Sequence, residues 1–582
     1  MMHYIRILLA GLLLFVVICT IGQHTSATRI DEQQSSFVTH SDQFDLPMRI
    51  VPVLSSNFGE LRNNHFHSGL DFKTNKETGI PVYAVADGWI SRIRISAWGF
   101  GYALYLDHPN GFTSVYGHLD RYAYPFDSIA IAHQYHIEQF ELDSMYEPGQ
   151  IPVKRGQLIA YSGNSGSSSA PHLHFEIRDT KTEETIDPLI WYFNRIPDHK
   201  APRIREITVF AIPHEGILKG NLQQHAVSAI QLKDSSWQLK DTLPAVWGKI
   251  GLGIKAYDYM DNAENIYGIC KLTLYKEEDV LFTQELSRFS FADTRYINAL
   301  IDFEAWQRKR TLTMRSYLLP GNHFPLCSGV SDGILTVDKE SVTHYRYQLS
   351  DRYGNTTEIR FILKGERMDI PKAVKKGVTM KYQEANMFRD NDIELYIPPG
   401  SLYEDIDFEA CQRTSVYYSD IFCLHDSYTP LHQSVPLKLR LTTDNLVSKK
   451  AYYLARENRY GNFQYVSAGT YQNGWLATTI REFGKYTVLA DTMPPKITPV
   501  KIENAIKNRL FRIRITDDAT GLSTWRGTID GKWALFEYHT KTGQLRYAFD
   551  DNRLDKDRQH TLELHVFDAC GNESTFQYMF YY

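Results

Sequence analysis

Short runs of alternating apolar and polar residues, broken by glycine turns, dominate the chain from about residue 46 to residue 193. Runs of this length and period are typical of strands, and the turns 86–88 and 108–111 are of the kind that joins strands into hairpins. One stretch departs from the pattern, since residues 127–138 are predicted to form a short helix inside an insertion that spans 123–152. The pattern therefore predicts a compact, mainly β domain over residues 45–195.

The rest of the 582-residue chain is also rich in short strands, and aromatic residues make up 13% of the sequence. Aromatic rings fit half-buried pleated surfaces, which favours sheets. Two segments each begin at a proline break and end in an Asp-x-x-Gly-Asn turn before the last strand, at Asp351–Asn355 and at Asp568–Asn572. This spacing predicts Ig-like β-sandwich modules over 200–366 and 491–582, with a further β-rich module over 367–490.

Composition limits the class of protein. The net charge of -5 and the pI near 6.5 show no global basic field of the kind that concentrates nucleic acid, so we expect no nucleic-acid partner. Hydrophobic residues make up 43% and charged residues 23%, values that are normal for a folded globular chain. A mainly disordered protein is therefore excluded.

The first 22 residues indicate export. Arg6 precedes an unbroken apolar run over residues 7–19. This run is shorter than the ~20 residues that a membrane-spanning helix needs, so a cleaved signal peptide over 1–22 is the preferred interpretation. A lipid anchor at Cys19 and an uncleaved membrane anchor are the alternatives.

Five cysteines remain after the predicted signal is removed, and an odd number cannot be fully paired within one chain. Cys411 and Cys423 lie close enough in sequence to close a small loop. In the alternative interpretation all five are small buried hydrophobic residues. No Cys-x-x-Cys pair occurs, so the sequence gives no support for cysteine-based zinc or redox chemistry.

Residues with catalytic or metal-binding chemistry are concentrated in the first domain. Alternate residues of a strand share a face, so His172 and His174 point to one side and are well placed to share a metal ion. His67 and Asp71 offer a further imidazole and a carboxylate. Histidine and carboxylate ligands with an open coordination position are what a catalytic Zn²⁺ requires. The three stretches concerned are His65–Asp71, Tyr116–Leu119 and Pro171–Glu176.

These H-x-x-x-D, Tyr-x-His-Leu and H-x-H motifs, taken together and in this order, resemble the M23 family of zinc metallopeptidases, the lysostaphin and LytM type. The resemblance covers about residues 55–189 and includes the flanking segments 85–90, 107–111, 153–157 and 187–188. It implies an antiparallel-β metallopeptidase domain.

The resemblance also implies the roles of individual residues. His67, Asp71 and His174 match the family's zinc ligands, for one Zn²⁺ per chain, and His118 and His172 match its two catalytic histidines. The expected reaction is hydrolysis of a peptide bond by zinc-bound water, assisted by those two histidines.

Other polar residues of the first domain lie outside the motifs. His65 is expected at the rim of the site, and His133 and His136, in the insertion, are expected to cover the cleft. Arg62 is interpreted as a solvated surface residue, with contact to a substrate carboxylate as the alternative.

The expected function is that of an exported zinc metalloendopeptidase that cleaves peptidoglycan cross-links, in the periplasm, in the cell envelope or after secretion. Its expected partners are peptidoglycan stem peptides or cross-bridges, and envelope proteins through the C-terminal β modules. Two alternatives stay open. One is a non-hydrolytic LytM-type regulator that activates another wall hydrolase, although such proteins usually lack the zinc ligands. The other is an exported protease that acts on proteins.

Overall fold

A computed structural model describes residues 42–582, so the predicted signal peptide lies outside the described residues. The first domain is built on an antiparallel sheet, and its insertion carries a twelve-residue helix, Phe126–Ile137, one residue earlier than predicted. A second, short helix, Leu189–Tyr192, follows the last strand. The strands are Leu54–Ser56, Leu61–Arg62, His65–Phe66, Leu70–Lys73, Pro81–Tyr83, Gly88–Ile95, Tyr102–Asp107, Phe112–Tyr122, Leu142–Met145, Pro152–Val153, Leu158–Ser162, His172–Asp179 and Thr185–Ile186.

The strand His172–Asp179 lies at the centre of this sheet, between Leu70–Lys73 and Phe112–Tyr122. One face of the central strand packs into the domain core, where Leu173, Phe175 and Ile177 are fully buried. The opposite face carries His172, His174, Glu176 and Arg178. The alternation predicted from the sequence is therefore confirmed, and it separates the hydrophobic core from the polar site.

The segment after the first domain forms an eleven-stranded sheet whose two halves enclose one hydrophobic core. Its helices are Thr294–Tyr296, Ile297–Leu300, Phe303–Lys309 and Val330–Gly333. Its strands are Arg203–Leu218, Gln224–Gln231, Trp237–Leu239, Val246–Tyr257, Lys271–Lys276, Asp279–Glu285, Met314–Arg315, Cys327–Gly329, Leu335–Val337, Val342–Ser350 and Thr356–Lys364.

One further strand of this segment, Arg288–Phe289, pairs instead with Thr185–Ile186 and extends the sheet of the first domain. Beside this pairing, the Arg352 guanidinium donates to the buried Asp187 carboxylate at 2.9 Å. The first domain and the next module therefore share a sheet and an ion pair.

The third segment is a sandwich of two five-stranded sheets around a single core, with a separate two-stranded sheet formed by Val378–Met380 and Ile406–Phe408. Cys411 and Cys423 lie opposite each other on neighbouring strands and form a disulfide. Besides the short helix Lys449–Ala451, the strands are Val378–Met380, Asn386–Asp390, Ile393–Ile397, Ile406–Phe408, Ala410–Arg413, Ile421–Leu424, Pro430–Arg440, Tyr452–Glu457, Phe463–Ala468, Thr470–Gln472, Trp475–Glu482 and Gly484–Ala490.

The last segment is a smaller sandwich of two four-stranded sheets. Its helices are Ile502–Asn504 and Ala505–Asn508. Its strands are Lys496–Pro499, Leu510–Thr516, Leu522–Ile529, Lys532–Ala534, Glu537–His539, Gln544–Ala548, Gln559–Asp568 and Glu573–Tyr581. With β-sandwich modules following a β-sheet domain, the predicted mainly β fold class is confirmed.

The last module packs back against the insertion of the first domain. The Tyr135 ring meets the Trp533 ring edge-on at 4.9 Å, and Phe140 lies 5.8 Å from Trp525. Across residues 42–582, no helix combines the length and the apolar character that crossing a bilayer would need.

Candidate metal centre

Strand register brings the predicted metal ligands together. His174 lies opposite Asp71 on one neighbouring strand and opposite Gly117 on the other, so His118 also comes close. His67 lies just before the strand of Asp71, in the loop that follows His65–Phe66. Three separate stretches of the sequence therefore meet because three adjacent strands are aligned.

Three side chains form a small triangle of ligand atoms. The Nε2 atom of His67 lies 3.0 Å from Oδ1 of Asp71 and 3.2 Å from Nδ1 of His174, and Nδ1 of His174 lies 2.9 Å from Oδ1 of Asp71. Ligands about 2.0–2.1 Å from a tetrahedral zinc ion are separated by about 3.3 Å. The three atoms therefore fit one face of a zinc tetrahedron, and all three side chains are buried.

The remaining nitrogen of each imidazole ligand has its own partner. Nδ1 of His67 lies 2.6 Å from the carbonyl oxygen of Asn57, and Nε2 of His174 lies 3.0 Å from Oε1 of Glu176. A ring that donates one N–H in this way presents the lone pair of its other nitrogen. Nε2 of His67 and Nδ1 of His174 are thus the nitrogens available to a metal.

Glu176 is the residue that the sequence motifs did not single out. Its fully buried carboxylate accepts hydrogen bonds from Ser68 and from Nε of Arg178, besides its contact with His174. Burial raises the pKa of Glu176, but Arg178 and His174 outweigh this and hold the pKa at about 2. A sequence signal was available, because Glu176 is two residues from His174 on a strand and so shares its face.

The charges of the ligands are strongly coupled. Burial raises the pKa of Asp71, yet His67, His172 and His174 hold it well below its ordinary value. Burial lowers the pKa of His174, but its hydrogen bonds to Asp71 and Glu176 raise it to about 9. A proton therefore occupies His174 when no metal is present, at the nitrogen that a metal would take.

His118 and His172 lie together beside the triangle. Their ring centroids are 4.8 Å apart, and the His118 ring is 5.8 Å from that of His174. Nδ1 of His118 lies 2.9 Å from the carbonyl oxygen of Ser165, and Nδ1 of His172 lies 2.8 Å from that of Ala170. Nε2 of His118 is therefore left free, whereas Nε2 of His172 lies 3.4 Å from Oδ1 of Asp71. Burial and the charges of His174 and His172 lower the pKa of His118 to about 3.

All five predicted site residues line one cleft of about 1130 Å³. Arg62 lies at its wall, where its guanidinium is 3.7 Å from Asp71 and donates to Ser56 at 2.7 Å. His65 also lines the cleft, as predicted for a rim residue, and its Nδ1 contacts the carbonyl of Asn63.

Two parts of the cleft differ from the sequence-based expectation. Among the described residues, none of 123–152 lines it, because the insertion packs against the last module instead. His133 contacts Ser144 at 3.0 Å within the insertion and does not cover the cleft. The wall is completed by Asn265 and Phe291, which belong to the following module and which the motifs could not reveal.

Comparison with known proteins agrees with this geometry. Residues 65–128 and 127–188 match the model of peptidase family M23. The first domain is an M23 peptidase domain. Residues 377–491, in the third segment, match the model of a Zu5-like domain.

Several curated relatives match the M23 domain. An uncharacterized metalloprotease of Haemophilus influenzae is 34% identical over 110 residues, which are 19% of this chain and 18% of the relative. The DD-carboxypeptidase/endopeptidase Mpg of Neisseria meningitidis serogroup B is 29% identical over 140 residues, 23% of this chain and 26% of the relative. The chain thus spans about a quarter or less of the length of these relatives.

Among solved structures, the catalytic domain of lysostaphin from Staphylococcus simulans is 26% identical and matches 24% of this chain and 90% of its own, with a TM-score of 0.18. The two C-terminal sandwiches lie outside the M23 match.

Proposed function

We propose that the M23 domain is a zinc metalloendopeptidase that hydrolyses peptide cross-links of peptidoglycan in the cell envelope after export. The observation that carries the proposal is the triangle of His67, Asp71 and His174, which opens into a cleft beside two further histidines. The peptidoglycan substrate is supported by relatives named DD-endopeptidase, such as ShyB of Vibrio cholerae, 32% identical over 111 residues, 19% of this chain and 20% of that protein.

The residues fit one zinc ion, which would be held by Nε2 of His67, Oδ1 of Asp71 and Nδ1 of His174. When bound, zinc would supply a Lewis acid that polarises a carbonyl and lowers the pKa of water. Asn57 and Glu176 orient the two imidazoles, as outer partners of zinc-bound histidines do.

His118 and His172 form the proton-transfer pair. The carbonyls of Ser165 and Ala170 hold both rings through Nδ1, so Nε2 is the nitrogen by which each ring would meet a substrate or water in the cleft, and Nε2 of His172 lies beside Asp71. An imidazole in this state accepts a proton, and once protonated it donates a hydrogen bond to a developing oxyanion or to the leaving amine. Positioned general acids and bases of this kind typically accelerate a reaction by about 10²–10⁴-fold.

Arg62 and the module residues Asn265 and Phe291 would contact the substrate beyond the reacting bond. Arg62 is half-exposed at the cleft wall and carries a guanidinium, which recognises carboxylates such as those of stem peptides. Because Asn265 and Phe291 come from the following module, we assign that module a role in shaping the cleft.

The deciding experiment is digestion of purified sacculi by the zinc-loaded full chain, with mass analysis of the released fragments. We expect new amine and carboxyl ends at peptide cross-links, and none with His118→Ala. If the folded, zinc-loaded protein leaves sacculi intact but cleaves an unfolded protein substrate, the exported protease is the better assignment. If it cleaves neither substrate and stimulates another wall hydrolase, the non-hydrolytic regulator is the better assignment.

A further inference from the structure

Three buried aspartates meet at the junction of the M23 domain and the following module. Asp198 lies in the link after the helix Leu189–Tyr192, Asp258 directly follows the strand Val246–Tyr257, and Asp351 begins the turn before Thr356–Lys364. Their exposed fractions are only 5%, 4% and 6%. One carboxylate oxygen from each lies within 4.8 Å of the others.

No cation of the described chain neutralises this group, which we call the junction triad. The charged side chains nearest in sequence are engaged elsewhere, since His199 pairs with Asp261 and Arg352 pairs with Asp187. Buried carboxylates are normally paired with a cation or coordinate a metal, because a charge left uncompensated in a low-dielectric environment is strongly unfavourable.

Two oxygens of the triad have no hydrogen-bond partner in the described structure. Oδ1 of Asp198 accepts the backbone N–H groups of Lys200 and Asp261, but its Oδ2 is buried and unpartnered, and so is Oδ1 of Asp258. Buried acceptors without partners are rare in folded proteins and call for an explanation such as an ion. The triad therefore has free acceptor capacity at a buried site.

We propose that the junction triad binds a calcium ion. Calcium takes oxygen ligands at 2.3–2.6 Å, so two oxygens on one ion lie at most about 5 Å apart, and the separations in the triad meet this limit. The donors are all carboxylate oxygens, which suit a hard cation and do not suit the nitrogen and sulfur preferences of zinc. Water would supply the remaining ligands.

A corresponding group in the last module provides an internal comparison. Asp491, Asp517 and Asp568 also bring carboxylate oxygens within 4.8 Å. There Thr520 donates to Oδ2 of Asp491 at 2.6 Å, and Oδ1 of Asp517 accepts three backbone N–H groups. In the described structure none of the carboxylate oxygens of that group is buried without a partner, unlike those of Asp198 and Asp258, so we assign no ion to it.

Calcium at the junction would fix part of the cleft wall. Its ligands come from the link that leaves the M23 domain and from two loops of the module, and Asn355 already bridges them by donating to the carbonyl of Asp198 at 3.2 Å and to Asp351. The loop that begins at Asp258 continues to Asn265, which lines the cleft and donates to the carbonyl of Ser55 at 3.0 Å. The ion would thus hold the substrate-facing loop in place.

The test uses the zinc-loaded full chain after calcium has been removed. Thermal unfolding is measured without divalent cations, with calcium chloride and with magnesium chloride, and calcium binding is counted by equilibrium dialysis against ⁴⁵Ca²⁺. We expect calcium to raise the Tm by about 4 °C or more at saturating concentration, magnesium to act more weakly, and one calcium to bind per chain.

Two substitutions locate the ion. Asp258→Asn and Asp198→Asn keep the shape of the side chain and remove one charge each, and both should abolish the calcium-dependent shift and the bound ⁴⁵Ca²⁺. Asp517→Asn, at the matching position of the last module, should leave both unchanged. If either triad variant fails to fold, the other decides.

The proposal is overturned if calcium does not raise the Tm of the wild-type chain. It is also overturned if both triad variants keep the wild-type shift in Tm, or if Asp517→Asn loses it. None of these readouts depends on peptidoglycan cleavage, so the calcium site and the proposed function can fail separately.

Discussion

At the scale of the residue, the site depends on which nitrogen of each histidine is left free. His67 uses Nδ1 for the carbonyl of Asn57 and His174 uses Nε2 for Glu176, so opposite edges of the two rings converge on Asp71. A motif names the residues but not these tautomers. The outer partners therefore determine whether three correctly placed side chains form a metal site.

Ligand and catalytic histidines should respond differently to substitution. Asp71→Ala and His174→Ala each remove one of three ligands, so we expect zinc to fall from about one per chain to a small fraction. His118→Ala should retain zinc and lose turnover by about 10²–10⁴-fold. Elemental analysis after dialysis, combined with digestion assays, checks both. Full zinc occupancy in the ligand variants would refute the assigned ligands.

Glu176 should act on zinc through His174. Glu176→Gln keeps the shape but weakens the acceptor for Nε2 of His174, so we expect zinc affinity to fall by about 10–100-fold. Competition with a chromophoric chelator measures this, and Glu183→Gln, an exposed change in the same hairpin, is the control. Equal affinities in the two variants would show that Glu176 has only a structural role.

Zinc binding should be linked to pH. Because the hydrogen bonds to Asp71 and Glu176 raise the pKa of His174 to about 9, the metal must displace a proton at neutral pH. Apparent zinc affinity should therefore increase as the pH rises towards 9. Calorimetry in buffers of different ionisation enthalpy measures the released proton, and affinity independent of pH between about 6 and 8 contradicts the linkage.

At the scale of the element, pairing between strands aligns the three strands that carry the site. Strand pairing also fixes the insertion in a position where the last module packs on it. Glu537 of the strand Glu537–His539 is half-buried in that interface, in a cleft that Tyr102 of the M23 domain also lines. Burial raises the pKa of Glu537, and the neighbouring Tyr102 and Arg546 offset this only in part.

This interface should weaken with rising pH. A carboxyl whose pKa is raised on folding contributes its full stability below the unfolded value, near 4.5, and loses it as the pH rises through the raised value. Glu537→Gln should therefore flatten the decline of the urea midpoint as the pH rises above about 4.5. Glu503 is exposed in the same module, so Glu503→Gln should keep the wild-type decline of the urea midpoint with pH. If Glu537→Gln also keeps the wild-type decline, Glu537 is not its cause.

The disulfide is a second element-scale feature. Cys411 and Cys423 join adjacent strands and close a loop with a sequence separation of 12. Replacing both by serine should lower the free energy of unfolding of the third segment by about 3 kcal/mol, the loop-closure value for this length. Urea unfolding with and without reductant tests this, since reductant should destabilise the wild type and leave the double variant unchanged.

At the scale of the whole molecule, both the following module and the last module contact the M23 domain. The following module adds a strand to the M23 sheet and residues to the cleft, and the last module packs on the M23 insertion. The M23 domain is thus held from two sides. This arrangement makes the modules part of the peptidase environment and not only spacers.

The ion pair between Arg352 and Asp187 should couple the M23 domain to its neighbour. The side chain of Asp187 is only 4% exposed, so Arg352→Ala leaves a buried charge unpaired and should destabilise the protein by about 3 kcal/mol. Denaturant unfolding monitored by tryptophan fluorescence measures the loss. Arg360→Ala, exposed in the same module, is the control, and equal stabilities of the two variants would exclude the coupling.

The sequence by itself determined the strand-rich fold and the residues of the candidate site. Period-two alternation separates His172 and His174 from Leu173 and Phe175 whatever the tertiary structure, because a strand has only two faces. The insertion helix was likewise evident, since its boundaries depend on local pattern. These features are encoded over a few residues, and local physics suffices to predict them.

Only the tertiary structure decided what lies around those residues. The position of the insertion, the contribution of Asn265 and Phe291 to the cleft and the junction triad all depend on contacts between segments far apart in sequence. The buried aspartates illustrate the reason. Asp198, Asp258 and Asp351 look like ordinary turn residues in sequence, and only packing buries them and brings their carboxylates together.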